Sequence, residues 1–176
     1  PLRPLLEGMG ATRARTEQET NRLFDTTDGA LRRRGEVLRV RTADQATVTW
    51  KGPSAGADNF EHKVREEWEA EIAADGAESL VAILGRLGFH EALSYRKQRE
   101  TWHWHGVTIA LDDLAFGKFV EIEGDAPAIE GAIRLLRLED EPMETRSYPE
   151  RPRLHDRSSG SQSGEQPGTM VTGRAH

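Results

Sequence analysis

The sequence predicts an α+β fold in which antiparallel strands close into a tunnel, with helices packed on the outside. Two observations carry that expectation. Short segments alternate polar and apolar residues with a period of two, as strands with one buried face do. The polar positions on these segments are unusually rich in full charges, and the charges sort by segment into a basic group and an acidic group.

The elements follow in order. Leu2 to Met9 reads as the last turns of a helix, with Leu2, Leu5, Leu6 and Met9 on one side and Gly10 ending it. Arg13 to Asp25 reads as a strand, and Thr26-Thr27-Asp28-Gly29 as a turn. Ala30 to Arg34 is too short to assign. Val37 to Thr42 and Ala46 to Lys51 alternate cleanly around an Ala-Asp-Gln turn. Gly52 to Asn59 is a Gly/Pro/Ser loop, and His62 to Ile72 alternates as one long strand. Ala77 to Leu87 has helical spacing (Leu80, Val81, Leu84, Leu87), with Gly88 as its stop. Ser94 to His105 and Val107 to Asp112 form a hairpin around His105-Gly106, and Gly117 to Gly124 is a further strand. Pro127 to Leu138 is a helix with proline at its start. From about Glu150 the composition turns to Ser, Gly, Pro, Arg and His without periodicity. The expected organisation is therefore one domain over residues 1–149 and a disordered polar tail over 150–176.

Composition narrows the function classes. A net charge of −6 argues against nonspecific nucleic-acid binding, which needs a cationic surface, yet a local cationic cluster still suits a small polyanion. Cysteine is absent, which removes disulfides, thiolate metal sites and cysteine nucleophiles. No apolar run approaches the roughly 18 residues of a membrane span, so a cytoplasmic protein is expected. There is no Walker A, GxGxxG or HExxH motif. His103-x-His105 has zinc-like alternation, but a histidine pair beside a hairpin turn without a third ligand reads as surface.

The charged faces are the informative feature. Arg39 and Arg41 oppose Leu38 and Val40; Thr49 and Lys51 oppose Val48 and Trp50. Arg65, Glu67, Glu69 and Glu71 share a face, as do Lys97, Arg99, Thr101 and His103. Asp112 opposes Leu111, and Phe119, Glu121 and Glu123 oppose Val120 and Ile122. For any single strand, a wetted sheet face is the plainer account. For the set it is not, because like charges two residues apart repel. Glutamates repeated on two strands suit a bound divalent cation. Arginines and lysines gathered on others suit a phosphate chain, which guanidinium grips in bidentate fashion. Trp50, Trp68, Trp102 and Trp104 fall on the apolar faces and are expected to pack under helices.

Read as text, "NRLFDT" (Asn21–Thr26), "LRVR" (Leu38–Arg41), "TWKGP" (Thr49–Pro53), "VREEWE" (Val64–Glu69), "LGRLGF" (Leu84–Phe89), "YRKQR" (Tyr95–Arg99), "LDD" (Leu111–Asp113) and "GKFVEIEG" (Gly117–Gly124) resemble the CYTH family in order and spacing, over about residues 1–148. That family includes class IV adenylate cyclases, thiamine triphosphatases and inorganic triphosphatases. The resemblance implies an eight-stranded antiparallel β-tunnel binding a triphosphate group with Mg²⁺ or Mn²⁺. Arg39, Arg41, Lys51, Arg65, Lys97 and Arg99 would grip phosphate oxygens. Glu67, Glu69, Glu121, Glu123 and Asp112 would hold metal, and Lys51, Arg41 and Glu69 are the catalytic candidates. The family's first strand reads ExExK, and the sequence begins inside the helix that follows it, so that strand is expected to be missing from this chain. The expected partner is a small-molecule triphosphate, with no nucleic acid and no membrane; a homodimer is compatible with the family. Hydrolysis of inorganic, thiamine or nucleoside triphosphate is the expected reaction. Cyclisation of ATP to cAMP and noncatalytic binding of polyphosphate or nucleotide are the alternatives.

Overall fold

Two-residue alternation has become β-structure wherever the structure, a computed structural model, describes the chain: residues 2–53, 66–141 and 170–174. The strands are β1 (Thr12–Thr26), β2 (Val37–Thr42), β3 (Ala46–Lys51), β4 (Glu67–Ile72), β5 (Phe89–Trp104), β6 (Val107–Leu114), β7 (Gly117–Glu123) and β8 (Met170–Arg174). The helices are α1 (Leu2–Gly8), α2 (Ala30–Arg33), α3 (Ala77–Arg86) and α4 (Ala126–Leu135). The hydrogen-bonded order is β4-β3-β2-β1-β5-β6-β7-β8. The pairs β1–β2, β2–β3, β3–β4 and β6–β7 are antiparallel, whereas β8 runs parallel to β7. No pairing joins the ends of that order among the described residues. Seven antiparallel strands therefore stand where a closed set of eight was expected. Of the segment expected as a polar tail, Met170–Arg174 is the described part, and its backbone pairs with β7; residues 150–169 and 175–176 lie outside the described residues.

The chain divides into two compact units. Unit 1 takes in residues 2–15, 100–141 and 170–174, and unit 2 residues 16–53 and 66–99.

In unit 1, α1 and α4 bury their apolar faces against the odd positions of β6 and the even positions of β7. The core joins Leu6, Trp102, Val107, Ile109, Val120, Ile122, Ile129, Ala132, Leu136 and Leu138. The β6–β7 register sets Ile109 opposite Ile122 and Leu111 opposite Val120, so one face is continuously aliphatic. Each fully buried side chain of this kind contributes about 1.5–3 kcal/mol. Trp102 donates its indole N–H to the buried Glu100 at 2.8 Å, and Arg3 pairs with the same carboxylate at 2.9 Å. Trp104 donates to the Met9 carbonyl at 3.1 Å. The hairpin between β5 and β6 turns through His105 (φ 43°) and Gly106 (φ 80°), two positive-φ residues that match the twist of the flanking strands. Asp125 caps α4 by accepting from the Ala128 N–H at 2.9 Å.

In unit 2, α3 covers the apolar face of β1, β2 and β3. Phe24, Val40 and Leu84 are its buried centre, with Leu38, Val48, Leu80, Val81 and Phe89 around them. Gly88, with φ 90°, follows the helix and ends it as the spacing predicts. Trp68 departs from expectation. It stands across from Trp50 in the β3–β4 register, but it is 67% exposed and its indole N–H is spent on Glu66. Among the described residues β4 ends the strand order, and a terminal strand offers its apolar side chains cover from one side only.

Asp25 organises the short helix that alternation could not assign. Its carboxylate accepts from the backbone N–H groups of Thr26 (2.8 Å), Leu31 (2.9 Å) and Arg32 (3.1 Å). Burial by itself pushes this carboxyl up, but the N–H groups of Leu31, Arg32 and Thr26 outweigh it and hold the group below the usual aspartate range. A lowered folded-state value means stability that is complete at neutral pH and drains away as pH falls below the unfolded value toward the folded one. Asp25→Ala is expected to cost about 1–2 kcal/mol at pH 7, as loss of a helix cap does. The deficit should shrink in thermal melts run toward pH 3; one that stays constant with pH would show that the charge is not what matters.

Candidate functional site

The face of unit 2 opposite α3 is polar and nearly continuous. Register builds it: Arg39 lies opposite Thr49, and Arg41 opposite Thr47, across β2–β3. Thr49 lies opposite Glu69, and Lys51 opposite Glu67, across β3–β4. The side chains then interlock. Arg39 Nη2 donates to Thr49 Oγ1 at 3.2 Å, Arg41 Nε to Thr47 Oγ1 at 3.3 Å, and Thr49 Oγ1 to Glu69 Oε2 at 2.7 Å. Glu69 sits 3.7 Å from Arg39 and 4.0 Å from Arg41, and Glu67 sits 3.2 Å from Lys51. The threonine hydroxyls are buried and fix the direction of both guanidinium groups.

At the middle of this face lies a residue that the sequence reading missed. Glu19 of β1 is 1% exposed, and three cations converge on it: Lys97 Nζ at 3.5 Å, Arg41 Nη1 at 3.6 Å and Arg99 Nε at 3.8 Å. Asn21, also fully buried, donates its amide N–H to Glu19 Oε2 at 3.3 Å. Burial alone would raise the Glu19 carboxyl, but Lys97, Arg99, the Asn21 hydrogen bond and Arg41 together hold it below the ordinary glutamate range. Glu19 and Asn21 obey the same alternation as the other charged strands. β1 read as strand text was not split into its two faces, and that was the available signal.

Glu67, Glu69, Arg39, Arg41, Lys51, Lys97 and Arg99 thus meet in one face, with Glu19, Asn21, Thr47 and Thr49 among them. Arg65 lies outside the described residues. Arg39, Arg41, Lys51 and Arg99 keep 15–20% of their side chains exposed, whereas Lys97 keeps 3%. The contacts between Glu19 or Glu69 and their cations, at 3.5–4.0 Å, are longer than the 2.7–2.9 Å of a tight charge-assisted hydrogen bond. Arg39 Nε is buried without a hydrogen-bond partner among the described residues. Arg39 and Arg41, held at 3.6–4.0 Å by their carboxylates and with donor capacity in reserve on Arg39, fit an anion receptor.

In unit 1 the acidic candidates share a face as well. Asp112 stands opposite Phe119, and Glu121 opposite Ala110, while Glu123 stands opposite Thr108. Asp112 is 2% exposed, and the two glutamates are half-buried. A metal site needs three or more ligands on one ion, and no such group of His, Asp or Glu gathers among the described residues. In unit 2, Glu67 and Glu69 are turned to lysine and arginine. Of the acids expected as metal ligands, Glu67 and Glu69 thus face cationic side chains, and Asp112, Glu121 and Glu123 line one face of β6 and β7.

No helix of the described residues is long and apolar enough to cross a membrane. The family model described as the CYTH domain matches residues 2–148. A candidate adenylate cyclase of Methanocaldococcus jannaschii, MJ0240, is 34% identical over 102 residues. That alignment takes in 57% of this chain, and the chain spans about half (55%) of the length of this relative. Among solved structures, the PH1819 protein of Pyrococcus horikoshii superposes with a TM-score of 0.68 at 28% identity, over 85% of this chain and 90% of that one. The Hippeastrum protein HpAC1, a candidate adenylyl cyclase with a dominant triphosphatase activity, shares the fold at 20% identity. Its TM-score is 0.53, with 66% of this chain and 69% of that one covered.

Proposed function

The chain belongs to the CYTH domain family, and from that premise we propose that it binds a triphosphate-bearing small molecule on the cationic face of unit 2 and hydrolyses it. One observation supports this above the others. Arg39, Arg41, Lys51, Lys97 and Arg99 share a face, and their acidic partners Glu19 and Glu69 hold the arginines only at 3.6–4.0 Å. Phosphoryl transfer asks little covalent chemistry of a protein; positioning and neutralisation of the phosphate oxygens supply most of the rate. Arg39 and Arg41, aimed by Thr49 and Thr47, would present forks to adjacent phosphoryl groups. Lys97 and Arg99 would neutralise the chain from β5, and Lys51 would do so from β3. Arg65 joins this set in our reading. Metal dependence is a property of the family, and Mg²⁺ or Mn²⁺ is the ion we would supply; it would shield charge on the phosphate chain.

Cyclisation of ATP is the second reading, favoured by the name of the archaeal relative. The triphosphatase activity of HpAC1 inclines us to hydrolysis. The test is to incubate the protein with tripolyphosphate, thiamine triphosphate and ATP, with Mg²⁺ or Mn²⁺, and to measure orthophosphate and cAMP. Orthophosphate without cAMP is expected. cAMP from ATP would move the assignment to cyclase. Binding of tripolyphosphate without turnover would make the chain a binding module, and neither binding nor turnover would end the reading.

A further inference from the structure

Glu19 is a costly residue to place where it is. A carboxylate that is 1% exposed carries one oxygen, Oε1, with no hydrogen-bond partner among the described residues, and Asn21 Oδ1 beside it is buried and unpartnered as well. Buried acceptors left in this way are a standing penalty. No cation reaches Oε1 closely: Arg41 lies at 3.6 Å and Arg99 at 3.8 Å. The groups facing Glu19 are Arg41 from β2, Asn21 from its own strand, and Lys97 and Arg99 from β5, while Glu69 meets Arg41 from the other side.

We propose that Glu19 is an internal counter-anion that sets the charge threshold of the site: it rejects singly phosphorylated or small anions and yields only to polyanions. This deepens the triphosphate reading and rests on it. Lys97, Arg99 and Arg41 need a counter-charge, and Lys97, at 3% exposure, needs one constantly. Glu19 supplies it when no ligand is present, as a carboxylate tethered to the strand. An incoming anion has to share those cations with a fixed negative charge a few ångströms away. Orthophosphate brings too little charge to compensate for that repulsion. A triphosphate spreads several charges along Arg39, Lys51 and the outer atoms of Arg41 and Arg99, so it gains contacts that Glu19 does not contest. Glu19 is a positioning and specificity residue in this account, touching the phosphate-gripping side chains rather than the phosphate.

Glu19→Gln keeps the shape and removes the charge. Titration calorimetry with orthophosphate and with tripolyphosphate is compared for both proteins, alongside melting curves in each anion. Orthophosphate affinity is expected to rise by about 10- to 100-fold in E19Q, the scale of one unit charge acting over several ångströms at the effective dielectric of a protein. Tripolyphosphate should gain less, so that the ratio between the two anions falls. E19Q removes the carboxylate that Lys97 faces at 3.5 Å and should melt earlier in phosphate-free buffer, and orthophosphate should restore more of that loss than it adds to the wild type. Glu100→Gln, a buried carboxylate in unit 1, removes a charge elsewhere and should leave both affinities as they were. Asn21→Asp works in the opposite direction: a second acid beside Glu19 should weaken both anions by about tenfold or more. It also carries the test if E19Q folds neither with nor without phosphate. Unchanged or weaker orthophosphate binding in folded E19Q, or unchanged binding in N21D, overturns the proposal. Absence of tripolyphosphate binding in the wild type overturns the triphosphate reading instead, and the response of E19Q to orthophosphate still decides the role of Glu19.

Discussion

Replacing Arg41 with alanine is expected to lower kcat/KM on a triphosphate substrate by about 10²–10³, the loss seen when one preorganised donor is taken from a developing oxyanion. Arg41 is held at three points on the face. It touches Glu19 at 3.6 Å and Glu69 at 4.0 Å, and its Nε is fixed on Thr47 at 3.3 Å. Its removal takes a guanidinium from the ligand and a counter-charge from two acids at once. Arg41→Lys should recover part of the loss but not all of it, because an ammonium restores charge without the planar fork. Steady-state phosphate release gives the measurement. If R41K matched the wild type, a point charge would suffice and the bidentate account would fail; if R41A matched it, the anion would bind elsewhere.

That residue was legible in the sequence, and so was most of the face it stands on. Alternation located β2 and β3 to the residue, because Leu38 and Val40 on one, and Ala46, Val48 and Trp50 on the other, line an apolar side opposite the charged one. α3 and α4 announced themselves through apolar spacing, through Gly88 after the first and through Pro127 near the start of the second. What stayed hidden had physical reasons. The helix at Ala30–Arg33 is held by Asp25, which lies outside it, so no local pattern within four residues could reveal it. Trp68 looks like core in a strand pattern, and only its place at the end of the strand order exposes it. Glu19 is an acid among bases, and sorting strands into basic and acidic groups hides the one residue that mixes them. Glutamates two apart on a strand say that a cation is near, and in unit 2 that cation is a lysine or an arginine.

Trp102→Ala is expected to be the most damaging single truncation, costing about 3–5 kcal/mol of unfolding free energy. The indole is 3% exposed within a core that includes Leu6, Ile109, Ile122 and Ile129, and Arg13 lies 6.0 Å from its ring. Two losses add. A large cavity opens beneath the helices, and Glu100, itself buried, loses the indole N–H that it accepts at 2.8 Å. Trp102→Phe should separate them, refilling much of the volume while leaving the carboxylate without that donor. Trp68→Ala offers the contrast: at 67% exposure it should change stability by less than about 0.5 kcal/mol. Urea unfolding with a single tryptophan changed at a time reads both. Equal losses for Trp102 and Trp68 would show that the burial described here does not govern their contributions.

The two faces of unit 2 also imply a particular relationship with the solvent. Unit 1 rests on an aliphatic and aromatic core, whose strength depends on water and hardly on dissolved ions. Unit 2 has a smaller apolar centre at Phe24, Val40 and Leu84, and across its sheet it carries a net of part-exposed ion pairs around Glu19 and Glu69. At 0.1 M salt the screening length is about 10 Å, and at 1 M it is about 3 Å, shorter than those pairs. Screening therefore reaches the exposed Glu69 end of this net more than its buried Glu19 end. A buffer change that a chemist would call innocuous alters how firmly the receptor face is set, while the core of unit 1 stays as it was.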